Sequence, residues 1–188
     1  MEKLKVVVAS SNAHKIEEMK EILSCFELVP MKNFFDGDIE ETGKTFKENA
    51  FIKAKFIAGK TGLATLADDS GLCVDALDGA PGIYSQRYSG GSDKDNRTLL
   101  LKNLEGVSSR AARFKCVVCL CFPDGKTVYG EGVCEGEILK SEEGTNGFGY
   151  DSIFYCYALK KSFGLSSQEE KNAVSHRKKA LEDLLKQL

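Results

Sequence analysis

The chain has 188 residues, and its 26 lysines and arginines nearly balance 28 aspartates and glutamates, for a formal net charge of -2. That length can bury a core without disulfide staples and fits one large domain or two lobes on a shared sheet. The charge balance argues against general nucleic-acid binding. No apolar run is long enough to cross a bilayer, and Met1–Lys5 lacks a signal-peptide core. A soluble, cytosolic protein is expected, with no membrane or nucleic-acid partner. Seven cysteines, an odd number, fit a reducing compartment better than a disulfide framework.

In chain order, Leu4–Ala9 reads as a first strand, β-branched and apolar. Ser10-Ser11-Asn12 follows, and then a helix from Ala13 to about Cys25 with Ile16, Met19, Ile22, Leu23 and Phe26 on its apolar face. Thr45 and Glu48 have capping-box spacing and open a second helix that runs to about Gly59. Strands are predicted at Leu63–Ala67 and Leu72–Leu77, and a turn-rich loop at Gly79–Gly82. A helix should cover Asp93–Leu104. The next third is β-rich, Ala112–Phe122 and then Thr127–Ile138, with Gly130, Gly132 and Gly136 marking bends or bulges. The loop Gly144–Asp151 precedes a strand at Ile153–Tyr157, and a last helix after Ser175 carries Ala180, Leu181, Leu184, Leu185 and Leu188 on one face. Helices mixed with long β-ribbons predict an α/β fold with a mixed sheet. Cys116 and Cys119 match C-x-x-C, but strand geometry sends them to opposite faces, so they read as small core residues.

Five places could carry chemistry. Ala67-Asp68-Asp69-Ser70-Gly71 is either a turn or the carboxyl end of a strand, where adjacent acids would call for a divalent cation. Ser10-Ser11-Asn12-Ala13-His14-Lys15 ends a strand and starts a helix. That is an anion-binding geometry, or simply an Asn12 cap with a solvated Lys15. Lys53 falls on the helix face of Phe46, Ala50 and Ile57, so it either snorkels outward or meets an anion, and Glu40 and Glu41 lie just ahead of that helix. In Gly144–Asp151, glycines allow close backbone approach. Phe148 and Tyr150 either stack on a base or anchor a connector to the core. Ser175-His176-Arg177, with Lys171 upstream, puts cationic charge at a helix N-terminus, which an electron-rich ligand would explain. Together these suit a nucleotide with several phosphates.

These segments also carry a resemblance. Ser-x-Asn-x-x-Lys at 10–15, Glu-Thr-Gly-x-Thr-Phe-x-Glu-Asn-Ala at 41–50, Ala-Asp-Asp-Ser-Gly-Leu at 67–72, Gly-Ala-Pro-Gly-Ile-Tyr-Ser-x-Arg-Tyr-Ser-Gly at 79–90, Gly-Phe-Gly-Tyr-Asp at 147–151 and Ser-His-Arg at 175–177 occur in this order. The chain, over essentially its whole length, resembles the inosine triphosphate pyrophosphatase family, the XTP/dITP diphosphatases that clear non-standard purine nucleotides, in its bacterial and archaeal form. The resemblance implies a single domain over 1–188, an elongated mixed sheet flanked by helices as two lobes, an active site in the cleft between them, and a homodimer. It implies water attack on the α-phosphorus of ITP, dITP or XTP, with Mg²⁺ as cofactor, giving the monophosphate and pyrophosphate. It makes Ser10, Ser11, Asn12, Ala13, His14 and Lys15 substrate-binding, with Ser10, Asn12 and Lys15 on phosphates. Glu41 and Asp69 become the metal acids, with Asp69 also the proton acceptor, while Asp68 and Lys53 join the catalytic group. Ser70 contacts substrate. Phe148, Gly149, Tyr150 and Asp151 line the base pocket, with Phe148 stacking, and Lys171, His176 and Arg177 complete the nucleotide contacts. Two residues depart from the family pattern beside that pocket: Asn146, where many members have glycine, and Ser152, where proline is common. Two other classes remain at this point, a Maf-like pyrimidine nucleotide diphosphatase and a nucleotide-binding protein without turnover.

Overall fold

The protein is described from a computed structural model, which covers residues 3–188. Seven strands form one sheet in the order β2-β1-β3-β4-β5-β6-β7. They are β1 (Leu4–Val8), β2 (Phe26–Pro30), β3 (Ala64–Val74), β4 (Ala111–Cys121), β5 (Thr127–Ile138), β6 (Phe154–Cys156) and β7 (Lys161–Ser162). The helices are α1 (Ala13–Ile22), α2 (Phe46–Thr61), α3 (Asp93–Asn103), α4 (Gln168–Val174) and α5 (His176–Leu185). β1 pairs in parallel with β2 and β3, whereas β6 pairs antiparallel with β5 and β7. The sheet is therefore mixed, as the sequence predicts.

The chain divides into two compact units. The first holds the described residues through Asp69, Cys116–Gly132 and Arg177–Leu188; the second holds Ser70–Lys115 and Val133–His176. In the first unit, strand alternation loads both faces of the sheet. Val6, Val8, Leu66, Cys116 and Val118 pack with Met19 of α1, with Leu23 that caps its end, and with Ala180, Leu181 and Leu184 of α5. Val7, Ala9, Ala67, Cys119 and Cys121 pack on the other side with Ala50, Ala54 and Ile57 of α2. Cys116 and Cys119 thus lie on opposite faces, and among the described residues no cysteine is in a disulfide. In the second unit Leu72, Leu100, Leu104, Phe114, Ile153, Phe154 and Phe163 form the core. Among the described residues no helix is long and apolar enough to cross a membrane.

Four local expectations need correction. Asp68-Asp69-Ser70-Gly71 is neither a turn nor a strand end: β3 runs unbroken through it for 11 residues. Glycine is needed there for clearance, because a Cβ on Gly71 would lie 2.2 Å from the Gly82 carbonyl oxygen. α1 stops at Ile22, and Phe26 opens β2, an edge strand, which is where a sheet tolerates a proline such as Pro30. β5 likewise has no break at its glycines. Gly130 instead lets α5 lie close, since a Cβ there would come 2.0 Å from the Ala180 carbonyl oxygen. Leu188 is exposed rather than part of the α5 apolar face. The short helix α4 was not anticipated. A capping box of Ser167 and Glu170 starts it.

These clearances give opposite outcomes for two Gly→Ala changes. Gly130→Ala should cost on the order of 2 kcal/mol through overpacking. Gly59→Ala, in α2 with open space around it, should stabilise by about 0.5–1 kcal/mol. Urea unfolding midpoints measure both.

Candidate active site

Adjacent residues of a strand point to opposite faces, and that fact organises the site in the first unit. Asp68 points to the α1 and α5 side. Its carboxylate lies 3.0 Å from Lys15 Nζ and accepts from Arg177 Nε and Nη2, each at 3.3 Å. Arg177 Nη1 donates to Glu18, a buried acid of α1. Asp69 points to the α2 side, where Asn49 Nδ2 donates to its Oδ2 at 3.1 Å.

α2 builds the rest of that face by helical spacing. Thr45 caps the helix by accepting from the Glu48 N–H, and the Glu48 carboxylate accepts from the Lys44 N–H at 2.6 Å. Asn49 and Lys53 are then one turn apart on the same stripe. The Asn49 side-chain oxygen accepts from the Gly43 N–H at 2.8 Å, and Lys53 Nζ donates to Glu41 Oε1 at 2.5 Å. Two side chains of one helix thereby hold the 41–43 segment beside Asp69. Lys53 does not snorkel; its side chain is only 12% exposed.

The two aspartates differ in ionisation. Burial would raise the Asp68 carboxyl, but Lys15, Arg177 and Lys53 outweigh it and hold the group well below the usual carboxylate range. Burial raises Asp69, the Glu41 charge adds to that, and Lys53 only partly offsets it, so Asp69 is pushed up to about 6. Lys53 is raised: burial opposes its charge, but Asp68, Asp69 and Glu41 more than compensate. The arrangement therefore has a permanently ionised anchor, a protonated lysine, and one carboxylate that can exchange a proton near neutral pH.

The helix start at the end of β1 has the expected form. Asn12 caps α1 by accepting from the Lys15 N–H, and Ser10 Oγ accepts from the Asn12 N–H at 3.2 Å. Ser11 is exposed, and Ala13 and His14 form the first turn. Lys15 sits at the positive end of a helix dipole, and its ion pair with Asp68 accounts for it there.

In the second unit, Lys171 of α4 donates to Asp151 Oδ2 at 2.7 Å, and both are buried. Its ammonium also lies 4.3 Å from the Phe148 ring centroid. Asp151 accepts from the Phe148 N–H at 2.8 Å, which closes the loop on itself. Asn146 fastens the loop further, its N–H to the Gly164 carbonyl and its side-chain amide to the Ser166 carbonyl at 3.0 Å. A pocket of about 360 Å³ opens here, lined by Asn146, Gly147, Phe163, Ser166 and Lys171 among others. Tyr150 is buried and donates its hydroxyl to the Ser85 carbonyl at 2.7 Å, so this ring anchors the loop. His176 is buried and stacks on Phe114, with centroids 4.9 Å apart. Ser70, half-buried in β3, belongs to this unit as well.

The structure thus gathers Lys15, Glu41, Lys53, Asp68, Asp69 and Arg177 in one unit, and Phe148, Asp151 and Lys171 in the other. Sequence reasoning missed Glu18 and Asn49. Glu18 lies three residues after Lys15 and four before Ile22, and Asn49 three after Phe46 and four before Lys53. A polar residue inside an apolar stripe was the available signal in both cases.

Among the described residues no group of three or more His, Cys, Asp or Glu side chains forms a metal cage.

The Ham1 family matches residues 6–187. A dITP/XTP pyrophosphatase of Haemophilus ducreyi is 46% identical over all of both chains, and one of Geobacter sulfurreducens is 48% identical over 94% of this chain and 92% of its own. The solved structure of a HAM1 protein from Coxiella burnetii superposes with a TM-score of 0.90 at 43% identity, covering 98% of this chain and 100% of that one.

The sign of the Asp69 shift yields a stability prediction. A folded-state value above the unfolded one favours folding below the ordinary carboxylate range, and that advantage is lost as pH rises through about 6. Asp69→Asn cannot ionise. It should match the wild type near pH 4 and exceed it above pH 7, by up to about 3 kcal/mol at about 1.4 kcal/mol per unit. Thermal melts of the metal-free protein across that range check this.

Proposed function

The chain belongs to the Ham1 family, and we propose that it hydrolyses the non-standard purine nucleoside triphosphates dITP, ITP and XTP to the monophosphate and pyrophosphate. It is a nucleoside triphosphate pyrophosphohydrolase, and its role is to keep deaminated purines out of the nucleotide pool. The observation that carries the chemistry is the split pair Asp68–Asp69, with one acid locked by cations and the other poised near 6 beside Lys53.

Lys15 and Lys53 act as fixed cations for the triphosphate, and the segment from Ser10 to Lys15 meets it at a helix start, whose dipole favours an anion. Lys53, kept protonated, is not a base. Asp69 accepts the proton of the attacking water, and Asn49 holds its carboxylate in orientation. Asp68 does not carry protons; it keeps Lys15 and Arg177 in place. Glu41 and Asp69 fit Mg²⁺ as hard oxygen donors on adjoining segments, since that ion is usually held by one or two carboxylates with phosphate and water completing its shell. When bound, the ion neutralises charge on the triphosphate and the departing pyrophosphate.

Phe148 through Asp151, with Ser70, Lys171, His176 and Arg177, are proposed to receive the nucleoside. A 6-oxo base satisfies fixed N–H donors that a 6-amino base leaves unpaired, which favours hypoxanthine and xanthine over adenine. The proposal covers residues 1–188 as a single ITPase-like domain, because the family match runs through both units. A cytoplasmic homodimer, without membrane or nucleic-acid partners, completes the reading on the family resemblance and the reduced cysteines.

Pyrophosphate release with Mg²⁺ across dITP, XTP, dGTP and dATP tests this; equal kcat/KM for all four would reject it. Asp69→Asn should fold and lose turnover by at least about 1,000-fold, and a near-normal rate would remove Asp69 from its role. Lys53→Ala should lose far more rate than stability, and comparable losses of the two would make Lys53 structural.

A further inference from the structure

Gly149 lies between the residue assigned to stack on the base, Phe148, and the buried anchor Tyr150. Its φ of +59° is one that glycine adopts freely, as it does many others. A glycine at this point could leave the Phe148 ring without a fixed direction. The second unit supplies a restraint. The Gly149 N–H donates to Asp93 Oδ2 at 3.0 Å, and the Gly149 carbonyl accepts from Arg97 Nη1 at 2.8 Å. The first bond holds the peptide plane before Gly149 and the second holds the plane after it. Both partners come from α3, at positions one turn apart, and the Ser92–Asp95 capping box fixes the start of that helix.

Arg97 is itself braced. Its Nε lies 3.1 Å from Glu142 Oε1, and its side chain is only 17% exposed. The other Glu142 oxygen accepts from Ser152 Oγ at 2.9 Å. One arginine therefore ties α3 to the Gly149 carbonyl and, through Glu142, to the residue that follows Asp151. The bonds of Arg97 and Asp93 converge on the backbone of a glycine whose neighbours carry the proposed base contacts.

We propose that Arg97, assisted by Asp93, is the positioning residue of the base loop: Arg97 locks the peptide plane after Gly149, Asp93 the plane before it, and Phe148 and Asp151 are so held in the geometry that receives a purine. This rests on the assignment of Phe148 and Asp151 to the base.

The test is steady-state kinetics on dITP with Arg97→Met, Arg97→Lys and Phe148→Ala, alongside thermal melts. Arg97→Met keeps the aliphatic stem and loses the donors. It should raise KM about tenfold, the equivalent of one charge-assisted bond, with kcat within about twofold. Arg97→Lys keeps one donor and should recover part of that loss. A purely structural role would lower the melting temperature without this KM-against-kcat split. If Phe148→Ala raises KM but Arg97→Met leaves it unchanged, the positioning role is overturned. Should Arg97→Met be too unstable to assay, an unchanged KM in Arg97→Lys together with a wild-type ratio of dITP to dGTP turnover overturns it equally. If Phe148→Ala itself leaves KM unchanged, the base-loop assignment falls and takes this inference with it.

Discussion

The ion pairs of Asp68 with Lys15 and Arg177 are the contacts on which the site in the first unit depends. A carboxylate at 1% exposure is costly unless paired, and here three elements supply the pairing: β3 the acid, α1 the lysine, α5 the arginine. Removing any one member leaves the others as buried charge. Glu18 extends the same logic, since it takes the guanidinium nitrogen that Asp68 does not. Burial disfavours the Arg177 charge, yet Asp68 and Glu18 raise its affinity for the proton.

Once Asp68 is fixed on one face, the pleat leaves Asp69 no choice but the other. That separation by geometry becomes a separation by chemistry. Two neighbouring carboxylates in one environment would repel and share a titration. Across a sheet each meets its own surroundings, one rich in cations and one with Glu41 as an added negative charge. A pair of acids with values driven apart is a common basis for dividing anchor and base roles. The sheet thus provides the distinction from two identical side chains adjacent in sequence.

Much of this was legible beforehand, and the failures have physical causes. The 3.6-residue period put Lys53 on the face of Phe46, Ala50 and Ile57 without deciding whether it snorkels, and it located α5, while the Thr45–Glu48 spacing located the start of α2. Asp-Asp-Ser-Gly misled because its composition favours a turn locally, whereas the ion pairs that keep it extended come from residues far away in sequence. β2 is a short edge strand next to a helix end, and its Phe26 fits either element. Glycines in β5 suggested bends; what they provide is clearance for another backbone, which no single-segment pattern encodes. Glu18 and Asn49 were visible only as polar intrusions in apolar stripes. The family resemblance supplied the division of roles between Asp68 and Asp69 that composition could not.

The second unit solves the opposite problem. Asp68 and Asp69 are held by a strand that has little freedom to lose, whereas Gly147-Phe148-Gly149 has a great deal. Glycines permit the close backbone approach a ligand loop needs, at an entropic cost that grows with the conformations they open. A loop left with that freedom would order only on binding and would give up affinity in doing so. Here the ordering is done in advance by side chains outside the loop: Asn146 to the Ser166 carbonyl, Asp151 to Lys171, and the α3 residues Asp93 and Arg97 to the two sides of Gly149. Asn146 and Ser152, which flank the residues assigned to the base, are both bonded into this bracing, so each acts on how the loop is held rather than on the base itself.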